Sequence, residues 1–290
     1  MTDTDPFLVH RNLLFTVAYE MLGSAADAED VLQEAWLRWA DADRSQVRDA
    51  RAYLVRITTR LALNRLRTTA RRREVYVGPW LPEPLLTAPD VADDVELADS
   101  VSTAMLVVLG TLPATERAVF ILREVFDLPY GEIAETLGKT PDAIRQIALR
   151  ARRHVADRRP RQRVDPAQHR EITEQLMNAV VTGDLDSLMR VLAPDVVLVT
   201  DGGGVKKAAL RPIQGVEKVL RFIAGVTPKD AVVHAEPVLI NGHPGVQFLF
   251  DGEIDTVVTT RVEDGVVTAL YLVRNPAKLE RITQETPLTR

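Results

Sequence analysis

Residues 130–155 have the pattern of two short helices joined by a tight turn, and this pattern constrains the fold more than any other stretch. Gly138 stands where a left-handed residue would end the first helix, and Thr140 followed by Pro141 suits the start of the second. Apolar residues of the second helix repeat with a helical period, which predicts one buried face. The apolar positions are Ile144, Ile147, Ala148, Ala151 and Val155.

The opposite face of this second helix is polar and rich in arginine. A short helix that packs on a partner and has such an outer face is suited to reading the DNA major groove. The alternative interpretation is an ordinary helical hairpin with a solvated basic face. The candidate DNA-contacting residues are Lys139, Thr140, Asp142, Arg145, Gln146, Arg150 and Arg153.

Composition limits the classes of protein to which this chain can belong. A length of 290 residues, of which 46% are hydrophobic, predicts two or three domains with apolar cores. No stretch approaches the roughly 20 apolar residues of a membrane span, and the first residues lack a signal-peptide pattern. The absence of cysteine excludes disulfides, thiolate catalysis and cysteine-based zinc sites. We therefore expect a cytoplasmic protein with no cofactor and no metal site.

The net charge of −5 conceals a strong segregation of charge along the chain. Residues 1–43 have 2 basic and 9 acidic side chains, whereas residues 44–73 have 10 arginines and one aspartate. Residues 74–103 have 7 acidic side chains and no lysine or arginine, and residues 139–163 have 9 basic and 2 acidic ones. Two basic blocks separated by an acidic stretch predict two nucleic-acid contacts on one chain.

The helix predicted over residues 25–41 has an unusual outer face. Asp30, Gln33 and Glu34 surround Leu37, so an apolar residue lies within an acidic patch. This combination is typical of a partner-binding surface with a small hydrophobic anchor. The alternative is a stray exposed leucine on a solvated helix, and this observation alone does not separate the two.

A third helix, predicted from about residue 49 to residue 73, carries a stripe of arginines on its outside. Such a stripe can follow a phosphate backbone, and an aromatic ring beside it can stack on an unpaired base. The alternative is again a solvated arginine face. The candidate DNA-contacting residues of this helix are Tyr53, Arg56, Arg60, Asn64, Arg67 and Arg71.

Residues 75–100 are predicted to be a linker, because their prolines interrupt any periodicity. The sequence WLPEP at residues 80–84 places large apolar side chains among these prolines, so we expect it to dock on another part of the chain. Helices are predicted at residues 97–110 and 115–125, before the helix–turn–helix pattern.

Beyond residue 167 the pattern changes, and a group of helices is followed mainly by antiparallel strands, which predicts an α+β domain. The glycines of the loop at residues 201–204 are expected to permit close approach by another element. Three dipeptides have the composition of hairpin turns, namely Asn241-Gly242, Asp251-Gly252 and Asp264-Gly265. The predicted helices are at residues 168–182, 184–193 and 213–226, and the strands at residues 196–200, 231–240, 245–250, 253–262 and 266–274.

The first 160 residues resemble the extracytoplasmic-function (group 4) sigma factors of bacterial RNA polymerase. The sequence ADAEDVLQEAW at residues 26–36 resembles sigma region 2.2, and TRLALNRLR at residues 59–67 resembles regions 2.3–2.4. The helix–turn–helix pattern resembles region 4.2. The resemblance implies a region 2 bundle at residues 1–74 and a region 4 domain at residues 101–160, both all-α, on either side of the linker.

The same resemblance implies partners and roles. Core RNA polymerase would bind through its β′ clamp and β flap, and the acidic face around Leu37 is where the clamp contact would lie. The arginine stripe would read the −10 promoter element and the helix–turn–helix the −35 element. The family usually has aspartate where this chain has Asn64.

Three further motifs resemble the SigJ-like, ECF41-type subfamily of these sigma factors. The resemblance implies that residues 168–290 form a SnoaL-like, NTF2-like cone that regulates the sigma domains in place of a separate anti-sigma factor. The subfamily commonly has DGGGK and NPDKL where this chain has DGGGV and NPAKL. The implied interdomain residues are Trp80, Leu81, Pro82, Glu83, Pro84, Asp201, Gly202, Gly203, Gly204, Asn275, Pro276, Lys278 and Leu279.

Rival interpretations concern the last domain and the mode of DNA binding. Cones of this kind often hold pockets, so the domain could sense a small molecule or be an enzyme. No acid and base at a recognisable spacing support catalysis, and we expect no catalytic residue. The candidate pocket groups are His234, His243, Asp255, Arg261 and Tyr271. A ligand-responsive repressor is the other rival, but it would need neither strand melting nor a polymerase contact.

Overall fold

The computed structural model describes residues 5–158, 164–226 and 233–290, without the side chains of residues 70–72. Helical units precede an α+β unit, which confirms the predicted fold class. The elements before residue 158 are α1 Pro6–Leu22, α2 Ala25–Ala40, a 3-10 turn Arg44–Gln46, α3 Ala50–Glu74, α4 Pro89–Asp93, α5 Val95–Val101, α6 Thr103–Gly110, α7 Ala114–Phe120, a π turn Ile121–Val125, α8 Tyr130–Leu137 and α9 Pro141–Ala156.

Helices α1, α2 and α3 form the first bundle, and capping residues set the ends of α1 and α2. Asp5 Oδ1 accepts a hydrogen bond from the Phe7 N–H at the start of α1, and Gly23, with a φ of 65°, ends this helix. Ser24 Oγ accepts one from the Asp27 N–H at the start of α2. The three helices then pack around shared apolar side chains, which include Leu14, Tyr19, Leu32, Trp39 and Leu54.

The second helical unit departs from the sequence prediction in three places. The helix expected at residues 97–110 is split into α5 and α6, because Ser102 leaves the helical conformation and its Oγ accepts the Met105 N–H. The helix expected at residues 115–125 is α7 followed by the π turn. Helix α4 lies inside the predicted linker, with Pro89 at its first position.

The helix–turn–helix prediction is confirmed in α8 and α9. Gly138 ends α8 with a φ of 63°, and the Thr140 side chain accepts a hydrogen bond from the Ala143 N–H at the start of α9. The apolar stripe of α9 is buried against its neighbours, so the polar face points to solvent. The buried positions are Ile144, Ile147, Ala148, Ala151 and Val155.

The strands after residue 164 form a single six-stranded sheet in the order β2-β1-β6-β5-β4-β3. Strands β1 and β6 pair in parallel, so the antiparallel arrangement expected from the sequence is wrong at this pair. A long connection separates these two strands in the chain, as parallel pairing requires. The elements are α10 Pro166–Thr182, α11 Leu185–Val191, β1 Leu192–Asp201, β2 Ile213–Gln214, α12 Val216–Val226, β3 Val233–Ile240, β4 His243–Phe250, β5 Glu253–Glu263, β6 Val266–Val273 and α13 Pro276–Leu279.

The three predicted hairpin turns connect β3, β4, β5 and β6 in succession. Both residues of each turn have positive φ, which two-residue turns of this hand require and which Asn-Gly and Asp-Gly supply at low cost. The φ values are 55° and 74° at Asn241-Gly242, 52° and 84° at Asp251-Gly252, and 50° and 78° at Asp264-Gly265.

Buried apolar side chains of the described residues gather in three clusters. One lies among the helices of the first 158 residues, and a second lies between the sheet and helices α10, α11 and α12. The third lies on the other face of the sheet, where Tyr271 and Ile240 cluster with Leu81 of the linker, and Ala104 and Val107 of α6 pack against this cluster. The sheet is therefore covered on this face by the chain's own linker and second helical unit.

Candidate nucleic-acid interface and interdomain junctions

The polar face of α9 is open to solvent, and all seven of its predicted DNA-contacting residues are exposed. Some of them already have partners within the protein. Arg145 forms an ion pair with Asp142, and Arg150 Nε lies 3.2 Å from Glu116 Oε1 of α7. Thr140 is the helix cap. The face combines fixed hydrogen-bonding groups with flexible cations, as a groove-reading helix requires. Its members are Lys139, Thr140, Asp142, Arg145, Gln146, Arg150 and Arg153.

Only some of the described residues of the α3 arginine stripe are exposed to solvent. The Arg56 guanidinium lies 5.3 Å from the centroid of the Tyr53 ring, and both side chains are half-buried. Asn64 and Arg67 are exposed. The side chain of Arg71 lies outside the part of the chain that the structure describes.

Arg60 connects this stripe to the helix–turn–helix. Its Nε donates to the Thr136 carbonyl over 2.8 Å, and its Nη2 donates to the Glu135 carbonyl over 3.0 Å, at the end of α8. Carbonyls at the end of a helix lack intrahelical partners, so a guanidinium suits them. Helix α8 therefore covers part of the α3 stripe, and clefts of about 620 and 380 Å³ remain on either side of this contact.

The acidic face of α2 contains both paired and solvent-exposed groups. Asp30 pairs with Arg65 of α3 over 2.7 Å, and Glu34 pairs with Arg38 over 2.6 Å. Gln33 is exposed, and Leu37 is 57% exposed. The expected apolar residue within polar neighbours is present on this surface.

A buried cluster, which we call the aspartate junction, joins the C-terminal domain to the linker. It consists of Asp201, Tyr76, Leu81, Asn275 and Lys278. Asp201 Oδ2 accepts from the Leu81 N–H over 2.8 Å and lies 2.6 Å from Lys278 Nζ. Asp201 Oδ1 accepts from the Tyr76 hydroxyl over 2.5 Å, and Asn275 Nδ2 donates to the same hydroxyl over 2.8 Å. Asp201 is completely buried, so these contacts replace its water.

Lys278 is almost as buried as its partner. Burial lowers the pKa of its ammonium to about 8, although the neighbouring Asp201 opposes this shift. The ammonium also lies 4.1 Å from the Trp80 ring, and the Arg73 guanidinium lies 3.7 Å from that ring. Trp80 thus connects the end of α3 to the C-terminal domain through two cations.

The glycines of the 201–204 loop are required by close approach, as predicted. A Cβ atom on Gly203 would lie 2.4 Å from the Asn275 side chain, and one on Gly202 would lie 2.3 Å from the Lys206 carbonyl. Gly204 faces Val77 of the linker. The remaining predicted residues on the C-terminal side are Pro276, which starts α13, and Leu279, which is buried in the third cluster.

The WLPEP segment is divided between two partners. Leu81 is a member of the aspartate junction, and Trp80 contacts its Lys278. Glu83 instead forms hydrogen bonds with the first bundle. Its Oε2 accepts from the Ala25 N–H over 2.8 Å and from Ser24 Oγ over 3.2 Å at the start of α2. Burial raises the pKa of Glu83. Pro82 and Pro84 are buried, so the segment is docked on the protein, without helix or strand, and is not a free tether.

Family models match both helical units. The model described as sigma-70 region 2 matches residues 7–72, and the model described as sigma-70 region 4 matches residues 102–155. The extracytoplasmic-function RNA polymerase sigma factor SigJ of Mycobacterium tuberculosis is 38% identical over 291 residues, which cover 95% of this chain and 93% of the relative. The chain belongs to the extracytoplasmic-function sigma factors.

A second relative and a solved structure also match over nearly the full length of this sigma factor. Probable sigma factor SigI of M. tuberculosis is 33% identical over 98% of this chain and 99% of its own. The crystal structure of M. tuberculosis SigJ superposes with a TM-score of 0.77 at 36% identity, and covers 98% of this chain and 99% of that one. The C-terminal α+β domain is therefore part of the same architecture.

Membership of the family gives the general function. The chain is a sigma factor that directs promoter-specific transcription initiation, and its partners are core RNA polymerase and promoter DNA. The relatives named above are RNA polymerase sigma factors by name. Among the described residues, no helix is long and apolar enough to cross a membrane.

A second connection within the sigma factor was missed at the sequence level. We call it the asparagine junction, and it consists of Asn241, Leu85, Tyr19 and Val101. Asn241 Oδ1 accepts from the Leu85 N–H over 2.9 Å, while its Nδ2 donates to the Tyr19 hydroxyl over 2.6 Å and to the Val101 carbonyl over 2.9 Å. The sequence marks Asn241 as a turn residue, but so does it mark Asp251, which is exposed. Only the tertiary position separates the two turns.

Two cavities test the ligand and enzyme alternatives for the C-terminal domain. An apolar cavity of about 60 Å³ lies between the sheet and α10 and α12, and Arg274 lies on its wall. None of the candidate pocket groups, all of them described, lines this cavity. His243 and Arg261 line a cavity of about 100 Å³ where α6 meets the sheet. No group of three metal-ligating side chains occurs among the described residues.

Proposed function

We propose that residues 1–74 form region 2 and read the −10 element, that residues 101–160 form region 4 and read the −35 element, and that residues 75–100 link them. The polar outer faces of α3 and α9 support this assignment, because each combines cations with groups that can bond to bases. Region 2 would use Tyr53, Arg56, Arg60, Asn64, Arg67 and Arg71. Region 4 would use Lys139, Thr140, Asp142, Arg145, Gln146, Arg150 and Arg153.

The acidic face of α2 would be the contact for the β′ clamp of RNA polymerase. Leu37 offers an apolar anchor, and Asp30, Gln33 and Glu34 offer hydrogen-bonding groups around it. Region 4 would contact the β flap. This function places the protein in the cytoplasm, where RNA polymerase acts, and gives the C-terminal domain no catalytic role.

We propose that residues 168–290 hold the sigma domains in a closed, inactive arrangement. One observation carries this proposal: the C-terminal domain binds the linker at Asp201 and Lys278, while Arg60 of the −10 stripe is bonded to α8. Reading two separate promoter elements would require Arg60 to leave α8. A tethered domain acts at an effective concentration on the order of millimolar, so a modest interface suffices.

A small apolar molecule could modulate this control. The cavity of about 60 Å³ is lined by apolar side chains such as Ile223 and Phe248, and its wall residue Arg274 directly precedes Asn275 of the aspartate junction. A ligand that moves Arg274 would disturb the junction, because the Arg274 N–H also donates to the Asp201 carbonyl over 2.7 Å.

Run-off transcription with core RNA polymerase on a genomic promoter library tests the whole proposal. The full chain is compared with a truncation to residues 1–165 and with the full-length variant Lys278→Gln. We expect promoter-specific transcripts only when the protein is present, and more of them with either change. Lys218→Gln, at an exposed lysine of the same domain, is the matched control and should behave as the parent.

The outcomes separate the parts of the proposal. Equal activity of the full chain, the truncation and Lys278→Gln would remove C-terminal control and leave the sigma function intact. A protein that shifted duplex DNA alone and gave no transcripts with polymerase would instead support the repressor interpretation.

A further inference from the structure

Residues 281–290 continue beyond α13 as a segment without helix or strand, and they run beside the linker. Lys278, just before this segment, donates to the Leu81 carbonyl, and the Thr286 N–H donates to the Leu86 carbonyl over 2.8 Å. Ile282 is 1% exposed and belongs to the same cluster as Leu81. The segment therefore follows the linker in the same direction, from residue 81 onwards.

The end of this segment leaves the C-terminal domain and enters the sigma helices. Leu288 is only 4% exposed, and it belongs to the buried cluster of the first 158 residues. The Thr289 N–H donates to Thr16 Oγ1 of α1 over 3.1 Å. Arg290 Nε lies 2.9 Å from Asp94 Oδ2, and its Nη1 bonds to Glu96 at the start of α5. One short segment thus contacts both the first bundle and the second helical unit.

We propose that residues 281–290 are an autoinhibitory strap, with Leu288 as its anchor, that fastens α1 to the α4–α5 segment. The strap is a tie separate from the aspartate junction, and it rests on the proposed function in that the closed arrangement is the inactive one. Thr16 belongs to region 2, whereas Asp94 and Glu96 lie on the path to region 4. While the strap is in place, this end of the linker stays on α1, which limits how far the two regions can separate.

The physical character of the strap suits a releasable tie. Its hold depends on two buried apolar side chains, Ile282 and Leu288, a few hydrogen bonds from its backbone N–H groups and an ion pair near the surface, and it has no regular structure of its own. Segments of this kind open locally at a lower free energy than core helices and strands. Removing a buried leucine from its site leaves a cavity, so a change at Leu288 should shift the strap strongly towards the released state.

Hydrogen exchange of the full chain tests the strap with Leu288→Asp. The matched control is Leu185→Asp, which makes the same change at a leucine of the C-terminal domain that is 53% exposed. We expect amides of residues 89–101 to exchange at least about tenfold faster in Leu288→Asp. Amides of β4, β5 and β6 should keep their protection, which shows that the domain stays folded. The control should match the parent throughout.

Promoter-specific transcription with core RNA polymerase gives the functional result. Leu288→Asp should raise transcript yield several-fold, and Leu185→Asp should not. If exchange accelerates only within residues 281–290 and transcription is unchanged, the strap does not restrain the sigma domains. If Lys278→Gln raises transcription while Leu288→Asp does not, the strap is wrong and the proposed control stands. Silence of the parent and all variants with polymerase would count against the proposed function itself.

A charge exchange provides a milder variant that should not unfold the protein. Arg290→Glu should raise transcription by about twofold, because an ion pair near the surface is weak. Adding Glu96→Arg should bring transcription part of the way back to the parent value, because one ion pair re-forms while Asp94 still repels the new carboxylate. A double variant that remains as active as Arg290→Glu would show that the contact between Arg290 and Glu96 has no part in the strap.

Discussion

The aspartate junction and the asparagine junction hold the same linker segment, but they do so with opposite chemistry. The aspartate junction places a carboxylate and an ammonium in a buried site, 2.6 Å apart. The asparagine junction uses one neutral amide, which makes three hydrogen bonds to groups of the linker, α1 and α5. The comparison suggests different roles for the two junctions: the aspartate junction can be released, and the asparagine junction fixes the position of the linker.

The difference follows from the cost of removing each group from water. A buried ion pair recovers little more than its desolvation penalty, so its net contribution is small even when its geometry is good. On opening, both ions regain water. Each hydrogen bond of Asn241 contributes about 1 kcal/mol to stability, and its neutral amide carries no charge that water would stabilise on opening. We infer that the aspartate junction is the switchable one and that the asparagine junction keeps the linker in register.

The largest effect is expected when the cation of the buried ion pair is removed and its carboxylate is kept. Lys278→Met leaves Asp201 buried without its cation, and this should lower the free energy of unfolding by about 3–4 kcal/mol. Urea titration followed by tryptophan fluorescence measures the change. Lys218→Met, at an exposed lysine, is the control and should shift stability by less than about 0.5 kcal/mol.

The double variant Asp201→Asn with Lys278→Met sharpens the same test. It removes both charges and keeps the amide as an acceptor for the Leu81 N–H, so most of the lost stability should return. If the double variant were as unstable as the sum of its single changes, the ion pair would not be the weak net contributor that the comparison requires.

The second effect concerns Asn241 and has a matched control in the next hairpin. Asn241→Gly keeps a residue suited to positive φ, but removes the acceptor of Leu85 and the donor to Tyr19. We expect a loss of about 2–3 kcal/mol, because buried polar groups lose their partners. Asp251→Gly makes a similar change at an exposed turn and should be nearly neutral. If the two variants lowered the melting temperature equally, the hydrogen bonds of Asn241 would add no more stability than an ordinary exposed turn does.

The third effect is a dependence on pH beside the asparagine junction. Glu20 of α1 is buried and bonds to Ser100 Oγ over 2.7 Å, and burial raises its pKa from 4.5 to about 8. The folded protein holds this proton more tightly than the unfolded chain does. The stabilisation that Glu20 protonation gives to the fold is therefore complete below pH 4.5 and is lost as pH rises through 8. From about pH 6.5 to pH 8 it should fall by about 1.5 kcal/mol.

Glu20→Gln isolates this contribution when urea titrations of the parent and the variant are compared at each pH. The stability difference should change with pH only through Glu20. Lys278, whose pKa is lowered to about 8 by burial, adds its own slope near pH 8, but that slope is the same in the parent and in Glu20→Gln and cancels in their difference. A parallel profile for the parent and the variant would show that Glu20 carries no extra proton in the closed protein.

Sequence patterns predicted the elements that depend on local chemistry. Gly138, Thr140 and the turn dipeptides each act within a few residues, so capping and turn rules found the helix–turn–helix and the hairpins. The role of Asn241 depends on Leu85 and Val101, which lie far away in the chain. A turn pattern contains no information about such partners, so the junction could not be predicted.

The candidate site shows the same limit from another side. The spacing of Arg60 on α3 predicted an outward-facing cation, and the side chain is indeed exposed. Its bonds to the carbonyls of α8 depend on how two helical units pack, which helical periodicity does not describe. The sequence therefore identified the surface residues and missed their partners within the chain.

The smallest expected effect lies outside both junctions, at the contact between Arg60 and α8. Arg60→Ala removes two hydrogen bonds from an exposed site, so stability should fall by only about 0.5–1 kcal/mol. Arg67→Ala, on the same exposed stripe, lacks such carbonyl contacts and should leave the unfolding free energy unchanged. Under the proposed −10 assignment, both changes should weaken promoter binding by the polymerase complex, measured by salt-dependent filter binding, because each would remove a phosphate contact. A larger loss of stability for Arg60→Ala than for Asn241→Gly would reverse the order of the comparison and make the α3–α8 contact, not the junctions, the main restraint on the closed protein.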